Sequence, residues 1–184
     1  MFTIKIDEQI ELALLEKRHA TRVFELTDSS RDYLKQWLPW VDFTQTVADS
    51  EKFIDTARKQ YFDNNGFQLG IVYNKEIVGL IGLHWIDWGN KRTSIGYWLG
   101  EGYQGNGIMT RAVQGLTTYC FEELGLNRID IRVVPTNHKS RAIPERLGYK
   151  LEGIQRQYEI LNGEFFDHNM YGIVKSEWGY ANDL

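Results

Sequence analysis

The segment that most constrains this chain is residues 95–111, Ile95-Gly96-Tyr97-Trp98-Leu99-Gly100-Glu101-Gly102-Tyr103-Gln104-Gly105-Asn106-Gly107-Ile108-Met109-Thr110-Arg111. β-Branched and aromatic residues alternating with small ones through Leu99 predict a strand, and the glycines after it break the run before a helical pattern starts. That helix carries Met109, Ala112, Val113, Leu116, Tyr119, Cys120 and Leu124 at steps of three and four, a stripe for the core. Arg111, Gln114, Thr117 and Thr118 face elsewhere. Gly125, between Leu124 and Leu126, predicts a left-handed stop. The helix therefore begins near residues 105–108. Its unpaired N–H groups and the positive end of its dipole coincide there, and glycine leaves the backbone open to close approach by a phosphate.

The chain has 184 residues, enough for one large core, and a single domain over 1–184 is expected. A formal charge of −4 argues against coating nucleic acid or an anionic membrane through bulk charge, so neither is expected as a direct partner. No apolar run approaches the ~20 residues needed to cross a bilayer, and residues 1–7 lack the basic-then-apolar layout of a signal peptide. The expected location is the cytoplasm. The one cysteine, Cys120, excludes an internal disulfide and reads as a buried small hydrophobe on the helix stripe. His19, His84, His138 and His168 show no paired ligand spacing, so no metal is expected.

In chain order, residues 2–6 and 10–14 both alternate like strand, with Asp7-Glu8-Gln9 between them, and either or both can open the fold. A helix follows over about 16–26, turning Ala20, Val23, Phe24 and Thr27 inward. Trp37-Leu38-Pro39-Trp40 suits a rigid aromatic wall in a loop, or a cover over the core. Residues 48–64 predict a second helix with Phe53, Ile54, Ala57, Tyr61 and Phe62 on one side. Strands over 67–73 and 76–85 meet at Asn74-Lys75, and a turn at 89–91 leads into the strand that feeds the glycine loop. These form an antiparallel meander. Beyond the long helix, the strand at 128–134 must run parallel to the one ending at Leu99, because a helix links them in a right-handed crossover. A short helix opens at Asn137 and stops at Gly148, with Pro144 kinking it or sitting in its first turn. Strands at 149–161 and 164–174 are joined by Asn162-Gly163, a strong two-residue hairpin signal.

Three kinds of anion loop fit a strand–glycine–helix junction. A nucleotide triphosphate loop needs Gly-Lys-Ser/Thr where this chain has Gly107-Ile108-Met109. A dinucleotide fingerprint needs a third glycine or alanine where Thr110 stands, and belongs to an early βαβ unit. The third is a Gln/Arg-x-x-Gly-x-Gly/Ala loop, here Gln104-Gly105-Asn106-Gly107-Ile108-Met109. In this the chain resembles the GNAT superfamily of acyl-CoA-dependent N-acetyltransferases, and its RimJ/RimL-like branch in particular. Met109 departs from the general pattern at the second small position. A second signature accompanies the first: Asn137-x-x-Ser140, then Glu145-Arg146-Leu147-Gly148-Tyr149. Alone, Asn-x-x-Ser is a helix cap; one helix and one strand after the loop, it becomes specific.

The resemblance implies a mixed α/β (α+β) fold with a mostly antiparallel sheet of about seven strands, a parallel pair splayed at the cofactor site, and about four flanking helices. It implies acetyl-CoA as cofactor. Leu99 would pair with the pantetheine arm where the strands part, Gln104, Gly105, Asn106, Gly107, Ile108, Met109 and Thr110 would hold the pyrophosphate, and Asn137 and Ser140 would flank the arm near the sulfur. Ser140 matches the proton donor of such enzymes and Glu159 the base; their bland readings are a helix cap and a solvated strand carboxylate.

Acetyl transfer requires a neutral amine, a stabilised carbonyl oxygen and a protonated leaving thiolate. An α-amino group titrates near 7.7–8.0 against about 10.4 for lysine, so a protein N-terminus needs less help. The branch implies the N-terminus of a ribosomal protein as acceptor; a small amine such as a polyamine or antibiotic is the alternative, and an acyl-CoA-binding module without catalysis a third reading. Trp37, Trp40, Trp85, Trp88 and Phe165 can line an acceptor groove, and equally suit a core or the interface of a homodimer or higher homo-oligomer.

Overall fold

Both N-terminal segments form strands. In the computed structural model, which describes residues 2–179, β1 (Thr3–Lys5) folds back on β2 (Ile10–Leu14), Thr3 opposite Ala13. The turn is closed by Asp7, whose Oδ1 accepts from the N–H groups of Gln9 and Ile10 at 2.7 and 2.8 Å. This pair raises the sheet from the expected seven strands to eight, in the order β1-β2-β3-β4-β5-β6-β8-β7. The others are β3 (Phe67–Tyr73), β4 (Glu76–Asp87), β5 (Arg92–Leu99), β6 (Arg128–Val133), β7 (Lys150–Leu161) and β8 (Glu164–Val174).

Four longer helices flank the sheet as expected: α1 (Ala20–Ser29), α3 (Val47–Phe62), α4 (Ile108–Glu122) and α5 (His138–Arg146). Two four-residue turns of helix, α2 (Arg31–Leu34) and α6 (Lys175–Trp178), add to them. α1 starts later than expected because 17–19 form a 3-10 turn, and its buried face is Ala20, Val23, Leu26 and Thr27, with Phe24 only half-buried. α3 buries Ser50, Ile54 and Ala57, while Phe53 and Phe62 stand 40% and 70% exposed. Those two phenylalanines are not part of the core stripe: Phe53 lines the cleft described below, and Phe62, the last residue of α3, packs against Arg58.

The larger core lies between α4 and one face of the sheet. Ile108, Met109, Ala112, Val113, Leu116, Cys120 and Phe121 meet Leu12, Leu69, Ile81, Ile95, Ile129, Ile131 and Tyr171 there. Thr117, expected to face elsewhere, is fully buried, because Tyr149 gives its hydroxyl a partner at 2.7 Å. A smaller cluster of Leu15, Ala20, Val23, Ile54, Ile77 and Leu80 holds α1 and α3 to the opposite face. That cover reaches only part of the sheet and leaves a cleft over β5, β6 and β8.

Among the described residues the one parallel contact, β5 with β6, lasts for three pairs: Arg92–Arg128, Thr93–Ile129 and Ser94–Asp130. β5 then continues to Leu99 paired with β4 alone, and β6 stays with β8 as far as Val133–Asn169. The strands therefore part after Ser94, not at the end of Leu99. Each follows its antiparallel neighbour, and the open edge of β5 spans Ile95 to Leu99.

Candidate active site

A cleft of about 1780 Å³ runs from the open edge of β5 to the N-terminus of α4 and across to β8. Leu99, Gln104, Gly105, Gly107, Ile108, Met109, Thr110, Asn137, Ser140 and Glu159 all line it, which brings together nearly every residue singled out from sequence.

At the loop, Gly107 is the N-cap of α4 with φ +67°, and Gly105 has φ +82°. A Cβ on either would project into open space, so the absent side chains leave a cradle over the backbone. The first helical bond runs from the Arg111 N–H to the Gly107 carbonyl, leaving the N–H groups of Ile108, Met109 and Thr110 without a turn above them. Asn106 braces the loop, donating from Nδ2 to the carbonyls of Tyr103 and Gln104 at 3.2 and 3.3 Å. The side chains of Ile108 and Met109 point the other way and are 1% and 6% exposed, so only their backbone can meet an anion. Met109 is thus accommodated as a core residue. This geometry fits a pyrophosphate.

Two cations that sequence did not single out close the same site from α5. Lys139 Nζ donates to Gln104 Oε1 at 2.8 Å, and Arg146 Nη1 to Thr110 Oγ1 at 2.7 Å. Among the described residues neither makes an ion pair with a carboxylate, whereas Arg111 is bound to Asp7 at 2.8 Å. Residues 139 and 146 lie two turns apart on α5 and so share a face, a spacing that was readable in the sequence.

Asn137 is the N-cap of α5, and its Oδ1 accepts from the Ser140 N–H at 3.3 Å. The capping role therefore belongs to Asn137, and the Ser140 hydroxyl is left to donate to Tyr97 Oη at 3.5 Å. Pro144 sits in the last turns of α5 rather than its first. It has no N–H for the Ser140 carbonyl, which accepts instead from the Tyr97 hydroxyl at 3.0 Å. Burial pushes the Tyr97 phenol far above its usual range, so it remains a donor.

Across the cleft, Glu159 is not a solvated strand carboxylate. Its Oε2 lies 2.8 Å from Nε2 of His168, which is 8% exposed. His84 also faces the cleft; desolvation first, then the charge of Arg132, hold its pKa below the usual imidazole value. Its ring lies over Gly96, where a Cβ would come within 2.3 Å of Nε2.

The aromatic wall is real but differently composed. Trp37 and Trp40 line the cleft together with Tyr33, Phe43 and Phe53, and Trp40 packs on Trp98 with ring centroids 5.7 Å apart. Trp85 lies under the Arg92 guanidinium, Trp88 donates to the Asn64 carbonyl at 2.8 Å, and Phe165 is 62% exposed on β8. Those three do not line the cleft. Among the described residues no three metal-ligating side chains gather as a metal site would require.

Splayed parallel strands beside a glycine-lined helix N-terminus, opening on one cleft lined by Ser140 and Glu159, define an acyl-CoA-dependent N-acyltransferase. Residues 9–150 match the family model described as Acetyltransferase (GNAT) domain, and the chain belongs to this family of acetyl-CoA-dependent N-acetyltransferases. It is 41% identical over 180 residues to the Bacillus subtilis (strain 168) protein named "Putative ribosomal N-acetyltransferase YdaF", covering 97% of this chain and 98% of that one. It is 31% identical over 172 residues to the ribosomal-protein-serine acetyltransferase of Escherichia coli (strain K12), covering 94% and 96%. Among solved structures, RimL, a ribosomal L7/L12 alpha-N-protein acetyltransferase in complex with coenzyme A, superposes with a TM-score of 0.91 at 28% identity, covering 94% of this chain and 98% of that one.

Proposed function

We propose that this protein, acting as a single catalytic domain in the cytoplasm, transfers the acetyl group of acetyl-CoA to the N-terminal α-amino group of a ribosomal protein. The observation that carries the reading is that one cleft holds the phosphate cradle, Ser140 and Glu159 together, each of the two side chains fixed by a partner. The relatives that act on ribosomal N-termini supply the acceptor class.

Acetyl-CoA supplies an activated acyl thioester. The chain's own residues then do four things. The N–H groups from Gly107 to Thr110, with Lys139 and Arg146, hold the phosphates. The open edge of β5 from Ile95 to Leu99 offers backbone groups to the pantetheine arm. Glu159 takes a proton from the incoming ammonium, a modest task for an α-amino group of pKa near 8. Ser140, held by the Tyr97 hydroxyl it donates to, gives a proton to the departing sulfur and regains one from the attacking nitrogen, which loses its second proton as the amide forms. Attack is direct, within a ternary complex, since burial pushes the thiol of Cys120 far above its usual pKa and keeps it from acting as an acyl carrier.

Competition between acceptors tests the reading. Peptides with free N-termini should outrun the same peptides carrying a blocked N-terminus and one lysine, and should outrun spermidine at equal concentration. A tenfold preference for spermidine or an aminoglycoside, about 1.4 kcal/mol in transition-state binding, would replace the ribosomal acceptor by a small amine. No transfer to any acceptor with cofactor bound would make the protein an acyl-CoA-binding module.

A further inference from the structure

Glu159 reaches the cleft only because β7 carries two residues more than β8 between successive pairs. Gln155 is opposite His168, and the next pair is Glu159 with Phe166, so residues 156–158 face Asp167 alone. In an unbroken ladder Gln157 would meet Phe166 and Glu159 would meet Glu164 at the turn. The bulge is held by Gln157, which adopts φ +51° and donates its N–H to Asp167 Oδ1 at 2.8 Å. A bulge of this kind re-aims a side chain, and here it brings the carboxylate one pair from His168.

We propose that His168 is a positioning residue for Glu159: a neutral imidazole whose Nε2–H fixes one carboxylate oxygen and leaves the other to receive the acceptor's proton. The inference rests on the reading of Glu159 as the base. Three observations support it. A carboxylate can only accept, so the 2.8 Å contact places the hydrogen on Nε2. Nδ1 is buried and has no hydrogen-bond partner. As a lone pair it tolerates that; as an N–H in a charged ring it would be a buried donor with nothing to bond. The same argument excludes a protonated Glu159 donating to Nε2, because the hydrogen would then sit on Nδ1. Finally, the Tyr158 ring lies 4.8 Å from the His168 ring, and the Arg132 guanidinium lies 5.1 Å from the Tyr158 ring and donates to its hydroxyl. The Tyr158 ring, held by Arg132 from β6, thus packs on the imidazole and keeps it beside the carboxylate. Of the charged side chains near the pair, Asp167 is already engaged by the Gln157 N–H. His168 thus orients the base without neutralising it. The proton transfer itself is one N–H bond broken at the acceptor and one O–H bond formed on Glu159.

The test uses four variants of the full chain, His168→Gln, His168→Leu, Glu159→Gln and the double variant His168→Leu with Glu159→Gln, with kcat and KM for acetyl-CoA and for a peptide acceptor. His168→Leu should lower kcat roughly tenfold or more, the scale of a misplaced catalytic group, with KM for acetyl-CoA unchanged. His168→Gln, whose amide N–H can still donate to the carboxylate, should recover most of that loss. In the double variant the leucine should cost nothing beyond Glu159→Gln, since its effect runs through the carboxylate. If Glu159→Gln is slow but His168→Leu keeps wild-type kcat, the role of His168 falls and the base stands. If Glu159→Gln keeps wild-type kcat, the base reading falls and takes this one with it. A leucine effect of the same size in both backgrounds would make His168 merely structural. Should His168→Leu fail to fold, His168→Asn, one methylene too short to hold the contact, replaces it with the same expectations.

Discussion

The Tyr97 hydroxyl donates to the Ser140 carbonyl across 3.0 Å, and Pro144 is why that carbonyl is free. In a regular helix the N–H of residue 144 would occupy it. The bond ties β5 to α5 beyond Ser94, where the parallel ladder has ceased to hold the strands together. It also fixes Ser140, the serine on the cleft wall proposed to protonate the departing sulfur.

Tyr97→Phe should therefore cost about 1 kcal/mol of stability in chemical denaturation, the usual net worth of a hydrogen bond, and should lower kcat more than it raises KM for acetyl-CoA. Pro144→Ala restores an N–H to the Ser140 carbonyl, so the stability cost of Tyr97→Phe should shrink in that background. Equal costs in both backgrounds would show that the two groups do not compete for one carbonyl.

How much of this was legible in the sequence depends on whether each feature is local. The α4 stripe, the left-handed Gly125 with φ +65° and the Asn162-Gly163 turn with φ +53° and +83° follow from residue types within a few positions of one another. The parting of β5 from β6 after Ser94 does not, because it depends on which neighbour each strand keeps. Glu159 was singled out by resemblance, but its partner was not. Pairing it with His168 required a bulge whose αL residue is Gln157, a residue type that gives no sign of such a conformation. Thr117 was misplaced for the same reason: its burial depends on the Tyr149 hydroxyl, far along the chain.

Gly107→Val should abolish acetyl-CoA binding by calorimetry. A Cβ at this residue enters the open space above the loop, and a β-branched residue resists φ +67° by roughly 1–2 kcal/mol. That strain is confined to the start of α4, so the circular dichroism spectrum should be preserved. Wild-type affinity in this variant would remove the loop from the cofactor site.

Among the described residues Lys139 and Arg146 have only neutral partners, Gln104 and the Tyr33 ring for the one and Thr110 for the other, so their charge is available to an anion. Replacing both by glutamine should weaken acetyl-CoA binding by roughly tenfold at low salt and by less as ionic strength rises and screens the contact. A salt-independent loss would point to disturbed packing of α5 instead.

Cys120 should stay unmodified after incubation with acetyl-CoA alone. The thiol is fully buried on α4, and desolvation raises its pKa far from the range where a thiolate forms. Intact mass should show no acetyl adduct, and Cys120→Ala should keep kcat. A stoichiometric adduct that turns over on adding acceptor would require a covalent acyl-enzyme.

The base itself is tested by Glu159→Gln. The amide keeps the volume of the carboxylate and can still meet His168, but it cannot take a proton, so the acceptor must arrive already neutral. At pH 7 an α-amino group of pKa near 8 is about one-tenth neutral, and at pH 9 about nine-tenths. The kcat deficit should therefore be largest near neutrality, on the order of 10²-fold for a lost general base, and should narrow as pH rises. KM for acetyl-CoA should not move, because Glu159 is no part of the phosphate cradle formed by 107–110, Lys139 and Arg146. A lysine-bearing acceptor, with its pKa near 10.4, should show the same narrowing displaced by about two pH units. A deficit that stays constant from pH 7 to 9 would mean Glu159 acts by position or charge, and the proton leaves by another route.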